Sequence, residues 1–231
     1  MVVTTSETAA AEASESFQRA RGPEQKQQRR EDILAAARAL ALADGVRAVS
    51  LAGIAARAGI DKSALLRYFE TREQIFLELT AREWPGWVRA LHDGLDDAAP
   101  GTGGAAGLVA DVVARSFGDR PLFCDLLAHA PLNLERNVSL ETVRAFKLVT
   151  LAEVAAIVAV VRRLLPGLTE RDGVDLIAAA TAMSGAFWQM ATPGPEAAAL
   201  YRSDPRLAHA VVDVEPRVAR LLTAMLAGMR A

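Results

Sequence analysis

The chain has 231 residues, 52% of them hydrophobic and 5% aromatic, with a formal net charge of −2. That length supports one large or two small domains with a sizeable core, and the absence of alternating strand-type runs predicts an all-α fold. The charge excludes a uniformly polybasic binder, the single cysteine (Cys124) excludes an intrachain disulfide or a cysteine-based zinc site, and Glu153 and Asp175 interrupt the most apolar segments, leaving no charge-free run of about 18 residues for a membrane span.

Residues 1–22 are rich in Ala, Ser, Thr and Glu without a sustained apolar period, and they read as a disordered tail. The start lacks the basic-then-apolar pattern of a signal peptide, so a cytoplasmic location is expected. Arg19, Arg21, Lys26, Arg29 and Arg30 lead into the first helix. Such a run is ordinarily a solvated face; its functional counterpart is an arm on DNA phosphates. The first helix is predicted over Glu24–Ala43, with Ile33, Ala36, Ala37, Leu40 and Ala41 on one face and Gly45 ending it.

Ser50 is an N-cap for a second helix, Leu51–Ala58, whose Ile54, Ala55 and Ala58 face inward. Gly59 makes a tight turn and Asp61 caps a third helix, Lys62–Phe69, with Leu65 and Phe69 facing the core. Two short helices joined by such a turn form a helix-turn-helix, whose second helix enters a DNA major groove. Positive charge gathers there: residues 17–72 hold eleven Lys/Arg against six Asp/Glu, although the whole chain is acidic. A fourth helix starts at Thr71, with Gln74 at capping-box spacing, and runs to His92. Asp93–Gly104 reads as a loop and domain boundary. Helices follow at Ala105–Phe117, Arg120–Ala130, Leu140–Leu165, Glu170–Met190 and Val214–Met229, with a short one at Glu196–Tyr201. Cys124 lies in an apolar run and reads as an inert core thiol.

Ile33, Ala36, Leu40 and Gly45, then Ser50, Ile54-Ala55, Ala58-Gly59-Ile60, Tyr68-Phe69 and Arg72-Glu73 form a combined pattern that resembles the TetR family of transcriptional regulators. The resemblance covers residues 28–76. It implies an N-terminal three-helix DNA-binding head, a C-terminal helical body that binds an effector, and a homodimer formed through the last two body helices. On that basis the chain divides into the tail (1–22), a helix-turn-helix DNA-binding domain (23–70) and an effector-binding and dimerisation domain (71–231). Three positions depart from the pattern. Leu66 stands where a backbone-contacting tyrosine is usual, Arg72 where lysine is usual, and Gly53 occupies the middle of helix two at about 1 kcal/mol relative to Ala.

Base reading requires side chains on the outer face of the third helix. Lys62 and Arg67 are expected to donate to guanine edges, Ser63 to pair with several bases, and Ala64 to pack on a thymine methyl. Phosphate contacts are expected from Ser50, Arg47, Arg57, Tyr68 and Arg72. In the body, Trp84, Trp87, Phe117, Phe123, Phe146 and Trp188 are the large aromatics; each alone is ordinary core, and together they make a candidate apolar effector pocket. His129, Asn133 and Gln189 are its candidate polar anchors. Ile177, Ala180, Thr181, Ser184 and Trp188 form one stripe and Leu221, Leu222, Met225, Leu226 and Met229 another, both expected to face a second copy in a four-helix bundle.

No P-loop, dinucleotide fingerprint or metal-ligand spacing is present, and His92, His129 and His209 lie far apart, so neither an enzyme nor a cofactor or metal is expected. The reading is therefore a DNA-binding regulator, a repressor released from a pseudo-palindromic operator by a small, largely apolar effector. The alternative is a helical ligand-binding or protein-interaction module whose helix-turn-helix no longer reads DNA.

Overall fold

The computed structural model describes residues 5–96 and 104–229, which hold helices and no strands. In chain order these are α1 (Thr5–Asp44), α2 (Leu51–Arg57), α3 (Lys62–Leu65), α4 (Arg72–Leu95), α5 (Ala105–Gly118), α6 (Pro121–His129), α7 (Leu140–Leu164), α8 (Glu170–Ala191), α9 (Pro195–Ser203) and α10 (Val214–Met229). A 3-10 turn at Val46–Ala48 joins α1 to α2, and a π-type turn at Ala130–Leu134 follows α6.

The helix starts are chemically specified. Ser50 Oγ accepts the Gly53 N–H at 3.0 Å, Thr71 Oγ1 accepts Gln74 N–H at 3.1 Å, Ser139 Oγ accepts Thr142 N–H at 3.2 Å, and Thr169 with Asp172 forms a reciprocal capping box. Gly45 and Gly59 adopt φ of 81° and 67°, the left-handed region in which a side chain strains the backbone.

Several expectations are corrected. The tail expected over 1–22 is helical from Thr5, continuous with α1. Ala, Glu, Gln and Arg are strong helix formers, and propensity alone extends a helix without an apolar face. The third helix is one turn long: after Leu65 the chain passes through turns to Phe69, with Arg67 N–H on Ala64 C=O and Tyr68 N–H on Leu65 C=O. Asp61 holds the N-cap position of α3, but its side chain accepts no capping bond. Gln74 Oε1 reaches back to Glu70 N–H at 2.7 Å, one residue before the expected Thr71. Helix α4 runs to Leu95, three residues beyond the expected end, and most of the anticipated loop, 97–103, lies outside the described residues.

Two apolar cores share α4 and α6. One holds α1, the buried faces of α2 and α3, the first turns of α4, and Leu122, Leu126 and Phe146 from α6 and α7. The other holds the rest of α4 with α5, α7, α8 and α10. Packing therefore changes hands near residue 81, inside α4, so the head and body meet along one continuous helix.

The stripes expected to face a second copy are largely consumed inside the chain. Ile177, Ala180 and Ser184 are at most 1% exposed, and Leu222 and Leu226 are fully buried. The apolar period marks the inward face first; solvent sees Val174, Ala178, Ala182, Ala186 and Met190 of α8 and Thr223, Ala224, Ala227 and Gly228 of α10.

Candidate DNA-reading face and head–body junction

Ile54 and Ala55 of α2, Leu65 of α3 and Phe69 beyond it are buried in one core with α1, which turns Lys62, Ser63, Leu66 and Arg67 outward; Ala64 is half-buried. Arg47 and Arg57 are exposed on the same head, and Ser50 sits exposed at the start of α2 while capping it. Lys62, Ser63, Arg67, Arg47, Arg57 and Ser50 are thus presented to solvent, with Lys62 and Ser63 on the helical turn and Arg67 just after it. Arg67 and Tyr68 share an open cleft with Lys26 and Arg29 of α1.

Other candidate cations are engaged. The Arg72 guanidinium donates to the carbonyls of Val46 and Val49, contacts Glu73, and lies 4.7 Å from the centroid of the Phe76 ring. Arg30 pairs with Glu78, donates to Tyr68 C=O at 2.7 Å and sits 4.1 Å over Phe69. Tyr68 is half-buried against the head core.

In the body, Trp84, Trp87, Phe117 and Phe123 do come together, with ring centroids 4.7 to 6.2 Å apart. They are at most 3% exposed and pack on one another as core. Trp87 Nε1 donates to Ser116 Oγ at 2.7 Å, whereas the buried Trp84 Nε1 has no partner among the described residues. Phe146 stands apart from this cluster. It lines a largely apolar groove of about 280 Å³ between α4 and α7, with Leu77, Ala81, Ala145 and Val149, and Arg30, Gln74, Glu78 and Thr142 complete the lining. Trp188 and Gln189 line a different cleft, about 360 Å³, walled by Ala41–Gly45 and Arg47 on one side and by Pro121, Leu122 and Asp125 on the other.

His129 and Gln189 converge on Asp125. Gln189 Nε2 donates to Asp125 Oδ1 at 2.7 Å and His129 Nε2 lies 3.4 Å from the same oxygen, while Asp125 Oδ2 accepts the Val46 N–H at 2.7 Å. Asn133 Nδ2 lies 3.4 Å from His129 Nδ1. Burial alone would raise the Asp125 pKa; the nearby His129 ring and the hydrogen bonds from Val46 and Gln189 outweigh it and hold the carboxyl below its ordinary range. Neighbouring Cys124 is fully buried and its thiol is pushed up to about 12, chiefly by burial.

A second carboxylate crosses between head and body. Glu70 Oε1 accepts Ser139 N–H at 3.0 Å, Ser139 Oγ at 2.9 Å and Thr142 Oγ1 at 2.7 Å. These bonds, that from Thr142 foremost, lower its pKa. Neither residue stood out as a site in the sequence. Asp125 carried a signal, being the lone charge in the run Pro121–Leu127; Glu70 carried none, because its partners lie 69 and 72 residues away.

Residues 33–79 match the family model described as bacterial regulatory proteins, tetR family, and residues 81–231 match the tetracyclin repressor-like C-terminal domain. Among solved structures the chain is similar to one from Pseudomonas aeruginosa PAO1 assigned as a transcriptional regulator, at 16% identity and a TM-score of 0.54, covering 88% of this chain and 91% of that one. It is also similar to one from Mesorhizobium loti MAFF303099 assigned to the TetR family, at 16% identity and a TM-score of 0.50, covering 88% and 96%. At such identities the likeness speaks for the fold. No curated protein matches.

Proposed function

The chain belongs to the TetR family of bacterial regulatory proteins, and from that premise we propose that it is a repressor that grips a pseudo-palindromic operator as a homodimer and lets go when a small, largely apolar effector enters the body. The observation that carries the DNA-reading part is the outer face of the helix-turn-helix. Lys62, Ser63 and Arg67 project from α3 and the turn after it, and Arg47, Arg57 and Ser50 stand around them on the same exposed head. This is the division of labour of groove readers, with base-edge donors on the second helix and phosphate contacts on the rim.

The effector part is supported by the groove beside Phe146. Its lining is largely apolar, with Arg30, Gln74, Glu78 and Thr142 beside the apolar side chains, and it opens between α4, which begins at the head, and α7. An effector that fits only one relative placement of those helices shifts the head through its differential affinity. The homodimer is supported by the small-residue faces left exposed on α8 and α10. Two copies joined there carry recognition helices to half-sites one helical turn, about 34–36 Å, apart.

Fluorescence anisotropy with the DNA upstream of the chain's own gene, at about 50 and 200 mM salt, tests the reading. Tight binding that falls steeply with salt and resists scrambled competitor is the expected result. Arg67→Ala should cost about 1–3 kcal/mol and relax the base preference. Leu66, 47% exposed on this face without a hydroxyl, is what favours the rival reading of a head that no longer reads DNA. Shallow salt dependence, with scrambled duplex competing equally, would decide for it.

A further inference from the structure

A carboxylate bond joins the helix-turn-helix to the body at each of its ends. At its entrance, Asp125 of α6 accepts the Val46 N–H at 2.7 Å, and the Val46 carbonyl accepts from Arg72, the first residue of α4. At its exit, Glu70 takes up the N-terminus of α7 through Ser139 and Thr142, at 2.7 to 3.0 Å. Between these points α2 packs chiefly on α1 and α3. Gln74 ties the exit further, its Oε1 accepting Glu70 N–H and its Nε2 donating to Thr142 Oγ1 at 3.2 Å. The entrance bond is backed from within the body, because Gln189 of α8 holds the other oxygen of Asp125.

We propose that Glu70 and Asp125 are positioning residues that fix the angle of the DNA-reading unit to the body, one at each end, and that displacement of α6 relative to α7 reaches α3 through them. The proposal rests on the regulator reading above and adds its route. A hydrogen bond to a charged acceptor is short and directional, so a shift of a fraction of an ångström between its partners weakens it. With both ends of the unit held, a shift at one end is absorbed by the stretch between them, which contains α3. Coupling through discrete bonds of this kind is established by showing that disturbing one end alters the other, not by proximity.

Residue-resolved amide exchange on the full chain makes the test. Glu70→Gln lies on the surface and leaves the core intact, so it is the deciding variant. It is expected to speed exchange of the Ser139 amide about tenfold and also that of Val46 about threefold, with Val113 and Phe117 in the body core unchanged. Asp125→Asn is expected to show the converse, faster at Val46 first and at Ser139 second. Glu70→Gln acting on Ser139 alone overturns the proposal, because the two bonds are then separate pins. A uniform rise at all amides overturns it too, because the residues then serve general stability. Wild-type binding to the upstream DNA, measured on the same sample, judges the regulator reading separately: cross-talk without DNA binding removes that reading, and DNA binding without cross-talk removes only the route.

Discussion

Arg72 shows how a residue chosen for one chemistry serves another. Its position just after the helix-turn-helix suggests a phosphate contact, yet its guanidinium fork spans the Val46 and Val49 carbonyls and lies on Phe76. Those carbonyls sit in the link between α1 and α2, where no helix partner satisfies them. Arg72→Ala is therefore expected to destabilise the fold by about 2–4 kcal/mol in urea denaturation, since it strands two acceptors and removes a charged donor. Arg72→Lys should recover less than half, because an ammonium lacks the fork. A pure phosphate ligand would leave the urea midpoint alone and lower only the salt slope of DNA binding.

Asp125 and Glu70 make acid the natural probe of the junction. Both carboxyls titrate below their ordinary values in the folded chain. Each stabilisation is complete above the unfolded pKa, about 4, and is lost as pH falls through the folded value. Urea midpoints at about pH 6, 4 and 3 should fall on acidification, and the fall should be smaller in Asp125→Asn, which has no proton to take up there. An equal fall in the variant would place the acid sensitivity elsewhere.

At the scale of elements, most helices were legible and their reach was less so. Ser50, Thr71 and the Gly45 and Gly59 stops gave the starts and ends of the head helices because caps and left-handed turns are local chemistry. The helix over the first residues was missed because apolar periodicity was required where propensity sufficed. The shortness of α3 was missed because the spacing of Leu65 and Phe69 fits both a second helical turn and the looser turns that replace it. The aromatic cluster was legible as a set, whereas the packing of its rings on one another was not, since packing between α4, α5 and α6 is non-local. The same holds for Gly185. A Cβ there would lie 2.8 Å from the Ala128 backbone nitrogen, so this glycine sets how closely α8 crosses α6. One helical turn later, Gln189 reaches Asp125. Gly185→Ala should cost about 1–3 kcal/mol through overpacking. By contrast, Gly107→Ala on α5, where nothing among the described residues lies within 4 Å of a Cβ, should gain up to about 1 kcal/mol. Equal urea midpoints for the two variants would contradict this account of the crossing.

For the whole molecule, the decisive distinction is between the face a helix buries in its own chain and the face it has left. The stripe through Ile177, Ala180 and Ser184 looked suited to a partner because it is apolar and regular, but those are the properties of an internal face as well, and the fold takes it first. What remains on α8 is a run of small and medium residues around Ala178, Ala182 and Ala186, matched on α10 by Thr223, Ala224 and Ala227. Small side chains allow helices to approach closely, which suits a four-helix interface between two copies. Ala182→Arg is expected to yield folded monomer in sedimentation at micromolar concentration, with helicity and urea midpoint close to wild type. Operator affinity should fall by about 10²–10⁴-fold, because the second head no longer binds as a tethered partner. Ile177→Arg supplies the contrast: at 1% exposure it places a charge in the core, so it should unfold the chain rather than split a dimer. If Ala182→Arg stays dimeric and Ile177→Arg gives a folded monomer, the two faces have been assigned the wrong way round.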